Sequence, residues 1–203
     1  KVTAVASHED GKGDYSAEVA VLAAAGGDAV AVIGYLDQGG KGIIQGSIDS
    51  GAFDTFILSD GMIGQSLVDA FGKDLSKSFG SLPGSTGKGA GVFATVAKAA
   101  GIDSSGPYTG ESYDAAALIV LAIQAGGSAD RGSIAKNVMA VANGPGKKIY
   151  PGQLKKALDL LAKGKAVDYE GATGVNFTDV GEAEGSFLEK EIKGGKFKTK
   201  KQR

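Results

Sequence analysis

Two residues in this sequence stand where side chains could grip a small charged molecule. Tyr35 directly follows the apolar run DAVAVIG (28–34), and Asp60 directly follows FDTFILS (53–59). Short apolar runs bounded by turn residues read as buried strands. If these two strands are parallel neighbours, both side chains emerge at the carboxyl edge of the sheet, where open α/β sheets bind ligands. A carboxylate there can accept charge-assisted hydrogen bonds from a cation such as an α-ammonium group. A tyrosine can offer its ring face to the cation or its hydroxyl to the solute. The pattern alone leaves it equally open that both are turn residues with no such role.

Other chemistry is limited by what the chain contains. It has no cysteine, which excludes disulfides, thiolate zinc sites and a cysteine nucleophile. Its single histidine, His8, excludes a multi-histidine metal site, so neither a metal nor a cofactor is expected. His8, Glu9 and Asp10 follow an apolar run and could line a cleft, but they read better as a polar strand-to-helix loop. The segment GSTGKG resembles a phosphate loop only superficially. Gly87-Lys88 is followed by Gly89 rather than Ser or Thr, and Leu82 stands where the motif needs its first glycine. GKG at 11–13 lacks the third glycine and the acidic partner of a dinucleotide site. No G-x-S-x-G elbow supports a hydrolase, so catalysis is not expected.

The elements that would position Tyr35 and Asp60 alternate in period. Val2–Ala6 reads as a first strand. A helix follows with Tyr15, Val19, Leu22 and Ala23 on its face, Asp14 at its start and Gly26-Gly27 at its stop. The Tyr35 strand comes next, then a helix marked by Ile43, Ile44 and Ile48. The Asp60 strand and a short helix over 64–71 complete the series. Such alternation predicts βαβ units and a parallel sheet with covered faces. From Gly80 the stretch GSLPGSTGKGAG reads as an irregular linker. Helices are then expected over 92–100, 111–125, 130–142 and 151–163, with Pro151 at a first helical position. Irregular β structure should follow, and Lys193–Arg203 reads as a solvated basic tail.

Glycine contributes 34 of the 203 residues, without the period of three that collagen needs. Most sit just after apolar segments, where they can end helices. Net charge is −1, so no broad field points to nucleic acid or an anionic membrane. The longest apolar run, Ala115–Ala125, is too short to span a bilayer and reads as a buried helix. The helices after Gly80 have almost no sheet to pack on, and the sequence begins at Lys1 without a secretory signal. Both lead to the expectation that a segment of comparable length precedes this one.

Four stretches in order, KGDYSAEVAVLAAAGGDAVAVIGY, SGAFDTFILSDGM, ESYDAAALIVLAIQAGG and YEGATGVNF, resemble the periplasmic binding proteins of branched-chain amino-acid ABC importers. The resemblance covers essentially the whole chain and corresponds to the second half or more of such a protein. It implies an α/β, two-lobed Venus-flytrap fold of parallel sheets flanked by helices, incomplete at the N-terminus. On that frame residues 1–80 are a second-lobe segment, 81–90 a hinge linker, 91–165 the helical part of the first lobe, and 166–203 crossover strands with a basic tail. The family's ammonium-binding acid falls on Asp60 and its cleft tyrosine on Tyr35. The implied function is extracytoplasmic capture of an amino acid or similar polar solute, without catalysis, for the permease subunits of an ABC importer. The full-length protein would be a monomer with no nucleic-acid partner. A ligand-binding sensor domain of the same fold is the alternative.

Overall fold

Apolar runs and glycine stops alternate through the first 83 residues, and the computed structural model, which describes residues 1–203, turns them into strand–helix repeats. The order is α1 (Ser16–Ala25), β1 (Val30–Val32), α2 (Gly40–Asp49), β2 (Phe56–Leu58), α3 (Gln65–Phe71) and β3 (Phe79–Pro83). The chain divides into two compact units, one comprising Lys1–Leu82 with Leu188–Arg203, the other Pro83–Phe187.

In the first unit β1, β2 and β3 are parallel neighbours in chain order, with Val32 opposite Leu58 and Leu58 opposite Gly80. Strands that advance in one direction through right-handed crossovers place all their helices on one face. Val19 of α1, Ile43 and Ile44 of α2 and Leu67 of α3 accordingly share one buried cluster with Val32, Phe56 and Leu58. The opposite face carries Ala31, Ile57 and Phe79 side by side in register, with Ile57 40% and Phe79 43% exposed. The expected covering of both faces is therefore met on one face only. A second layer of helices requires strands that advance in the other direction, and residues 16–83 contain none.

Two further expectations are corrected in this unit. Val2–Ala6 forms no strand, and Val2 and Val5 are exposed. β propensity produces a strand only where a neighbour accepts the ladder. Conversely, the basic tail is not a free tail. β8 (Phe187–Lys193) and β9 (Lys196–Gln202) form an antiparallel hairpin that extends the sheet beyond β3. Ile192 and Phe197 pair across it and pack on the core, while Glu189 lies close to Lys200 and Arg203. Lysines along an open edge also discourage edge-to-edge pairing with other chains.

The second unit is mainly helical: α4 (Lys88–Ala99), α5 (Thr109–Gly126), α6 (Arg131–Ala142) and α7 (Leu154–Leu161). Asp130 caps α6 by accepting from the Gly132 and Ser133 amides, and Gly127 ends α5 at φ 63°. The expected irregular stretch from Gly80 is partly regular, since β3 runs to Pro83 and α4 starts at Lys88. Pro151 is not helical either; Gly152 takes φ 78°, outside the helical region, and α7 begins at Leu154. The helices do have a sheet. β4 (Lys147–Ile149) and β5 (Val167–Tyr169) pair in parallel, and Ile149, Val167 and Tyr169 are buried with Leu118 and Leu121 of α5. Strands of three residues, two of them lysines in β4, are too short to show an apolar period. A small hairpin, β6 (Asn176–Phe177) with β7 (Ala183–Glu184), completes the unit. No helix is long and apolar enough to cross a membrane.

Candidate functional site

The register of β1 on β2 brings the two strand ends to one edge. The Ser59 amide donates to the Val32 carbonyl at 3.1 Å, and the Ser59 hydroxyl lies 3.3 Å from both the amide and the carbonyl of Gly34. Tyr35 therefore leaves β1 beside the point where Asp60 leaves β2. Its backbone is extended, and its carbonyl accepts the Gly40 amide at 3.1 Å, fixing the entry to α2. The ring is presented outward, with Tyr35 64% exposed.

Gly61 brings the pair together. A Cβ there would stand 2.5 Å from the Gly34 carbonyl oxygen, 2.9 Å from Cδ1 of Tyr35 and 3.2 Å from its Cε1. The Tyr35 ring thus lies on the backbone immediately after Asp60, an approach that only glycine permits. Asp60 is half-buried at the start of a 3-10 turn over Asp60–Met62, and its Oδ1 accepts the Gly61 amide at 2.8 Å. The arrangement offers an acceptor carboxylate and an aromatic face, side by side, at the carboxyl edge of two parallel strands.

His8 belongs to the same edge. Its side chain is only 16% exposed, while Glu9 and Asp10 are exposed. A Cβ on Gly34 would lie 3.3 Å from the imidazole Cε1 and Nε2, and one on Gly39 would lie 3.2 Å from Cδ2. The ring meets buried Tyr15 edge-on, with centroids 5.9 Å apart, and the Tyr15 hydroxyl donates to the Glu9 carbonyl at 3.1 Å. The reading of His8 as part of a polar loop missed this packing, which depends on contacts with glycines 26 and 31 positions away.

Asp114 in α5 was not singled out from the sequence. It is buried and fully engaged. Its Oδ1 accepts from the Tyr169 hydroxyl at 2.9 Å and the Ala172 amide at 2.7 Å. Its Oδ2 accepts from the Thr173 amide at 2.9 Å and the Thr173 hydroxyl at 2.8 Å. Gly171, at φ 57°, passes so close that a Cβ would overlap the carboxylate. Burial, with the Asp114 charge second, pushes the Tyr169 hydroxyl well above the usual tyrosine range. The signal was present: Asp114 occupies the buried stripe of α5 with Ala117, Leu118, Leu121 and Ala122. A carboxylate on an apolar stripe must find donors.

The remaining candidates do not assemble. Lys88 of the glycine-rich stretch lies over the Tyr150 ring, 4.4 Å from its centroid. No three His, Asp or Glu side chains converge to hold a metal ion. An open depression of about 440 Å³ lies at the amino edge of the first unit's sheet, lined by Asp28, Asp54, Lys73 and Lys77 among others. It shares no residue with the Tyr35–Asp60 edge.

Over 95% of its length the chain superposes on 49% of the leucine-binding protein LivK of Thermotoga maritima, with a TM-score of 0.69 and 20% identity. Over 94% of its length it superposes on 50% of a type 1 periplasmic binding protein of Bordetella pertussis, with a TM-score of 0.64 and 20% identity. The fold matches about half of a type I periplasmic binding protein. The chain spans about half the length of these solved proteins, which are named for binding and not for catalysis. In sequence, 68 residues are 40% identical to the chemotactic signal transduction system substrate-binding protein BasB of Halobacterium salinarum, covering 34% of this chain and 16% of that protein. No family model matches the sequence.

Proposed function

We propose that this chain is part of an extracytoplasmic solute-binding protein that captures an amino acid or a similar small polar solute for an ABC importer, without chemical change. The observation that carries the reading is the placement of Tyr35 against Gly61, beside Asp60, at the carboxyl edge of β1 and β2. Asp60 receives the cationic end of the solute, and the Tyr35 ring packs beside it. A solute enclosed between two lobes loses its water, so its ammonium group needs a paired acceptor. The linker over 81–90, where the chain leaves the first unit, serves as the hinge of the clamshell. Within the second unit the Gly84 amide donates to the Ser186 carbonyl at 3.1 Å, and the Ser186 hydroxyl donates to the Gly84 carbonyl at 2.9 Å.

A second reading rests on the stretch similar to BasB, whose name places it in chemotactic signalling. The same capture chemistry would then report to a receptor. Gene neighbours encoding permeases and ATPases support import, and a neighbouring transducer supports sensing.

The test of the site is calorimetry on the natural full-length product with the co-purifying solute identified first by mass spectrometry. Truncating one partner of a buried charged pair costs about 2 to 5 kcal/mol, so Asp60→Asn should lose roughly 30-fold to several-thousand-fold in affinity. Tyr35→Ala should lose about 1 to 3 kcal/mol, as aromatic and cation–π contacts do. Binding by Asp60→Asn within about threefold of the parent would overturn the ammonium-site assignment and point to a neutral or anionic solute.

A further inference from the structure

The residue at this edge that the solute reading leaves without a part is His8. Its imidazole is wedged between Gly34 and Gly39, the two ends of the segment that carries Tyr35. On the other side of Gly34, its carbonyl presses on Gly61, which follows Asp60. His8, Gly34, Gly61 and Asp60 therefore form a chain of direct neighbours within one unit. Resting on the assignment of Tyr35 and Asp60 as the solute site, we propose that His8 is a positioning residue that makes this edge responsive to protons.

The charged and titratable groups around His8 determine the direction. On its own segment Glu9 is exposed, and Asp10 Oδ1 lies 4.0 Å from His8 Nε2. From the α1 side Tyr15 meets the ring edge-on, and behind it Lys12 is engaged by Glu18 at 2.7 Å. The segment between β1 and α2 contributes Tyr35 and the Asp37–Lys41 pair, and the turn after β2 contributes Asp60. Histidine is the side chain whose charge ordinarily changes between pH 5 and 8. The ring packs between the glycines and against Tyr15. The imidazolium is drawn toward Asp10, which disturbs the packing against Gly34 and Gly39 on either side of Tyr35. It also adds a positive charge at the edge where Asp60 receives a cation. Both effects weaken capture of an ammonium-bearing solute as pH falls. By reciprocity, solute binding favours the neutral ring and releases a proton from it.

The coupling can be read without knowing the solute. 4-Fluorophenylalanine placed at position 35 of the natural full-length protein, a ring with no ionisable group of its own, should show a ¹⁹F shift that titrates between pH 5 and 8, and His8→Gln should abolish that titration. A flat profile in the parent, or an equal titration in His8→Gln, overturns the proposal. Calorimetry with L-leucine as probe adds the functional arm. A partly buried unit charge at the same sheet edge should lower affinity about three- to tenfold from pH 8 to pH 5, and His8→Gln should bind equally at both. Leucine bound with the same affinity at both pH values in the parent also overturns the coupling. Failure to bind leucine at all counts against leucine as the solute, and the fluorine titration then decides the role of His8 alone.

Discussion

Asp60 and Asp114 are both aspartates that stand where sequence patterns meet structure, yet their surroundings differ sharply. Asp114 sits on the buried stripe of α5, and the Tyr169 hydroxyl, two amides and the Thr173 hydroxyl converge on it. Everything it can accept comes from the protein, so it holds the 169–173 segment against α5. Asp60 stands half-buried at the end of β2, at the edge of the sheet, beside an exposed aromatic ring. Asp114 holds two segments of the fold together, whereas the role proposed for Asp60 comes from its place at a strand end beside an open tyrosine.

The sharpest way to break that contrast is to remove each carboxylate in turn. Asp114→Ala leaves several buried donors unsatisfied, each costing roughly 1 to 3 kcal/mol less whatever water can enter, so a total loss of about 3 to 5 kcal/mol is expected in denaturant melts. Asp60→Asn should leave the same melts within about 1 kcal/mol of the parent, because strand-end substitutions away from the core are mild. Its large effect belongs to affinity. Equal destabilisation by the two variants would make Asp60 a structural residue and dissolve the comparison.

Gly61→Ala sharpens it further. The new methyl would meet the Gly34 carbonyl, which is backbone and cannot rotate away. Overpacking of this kind costs about 1 to 3 kcal/mol, and the displaced Tyr35 ring should lower solute affinity more than stability. Gly61→Ala with unchanged binding would separate the ring from the site.

The smallest effect concerns Tyr169. Losing one hydroxyl donor to Asp114, Tyr169→Phe should cost about 1 kcal/mol near neutral pH. Burial and the Asp114 charge hold the Tyr169 proton in the folded chain above the pH at which a free tyrosine releases it. The unfolded chain then loses its proton first, near pH 10. Stability from this group is therefore complete below about pH 10 and declines as pH rises beyond it. Tyr169→Phe should lack that alkaline decline, which melts recorded at increasing pH would reveal.

Local pattern alone placed most helices and the two strands that matter, because DAVAVIG and FDTFILS are apolar runs closed by turn residues and the intervening helices carry apolar residues at helical spacing. It also located Tyr35 and Asp60 as strand-end residues, since that depends only on where an apolar run stops. Whether those strands were neighbours, and in which direction and register, required the pairing of Val32 with Leu58. The contact of the Tyr35 ring with Gly61 and the wedge of His8 between Gly34 and Gly39 join residues 26 or more positions apart, beyond the reach of any local period. The same holds where the sequence reading went astray. Val2–Ala6 has strand composition but no partner, and the lysine-rich end has tail composition but a partner in β8. Periodicity records which face a side chain turns inward. Which strand, glycine or carboxylate it meets there is decided only when distant segments pack, because a hydrogen-bond ladder or a buried charge is satisfied by its neighbours in space.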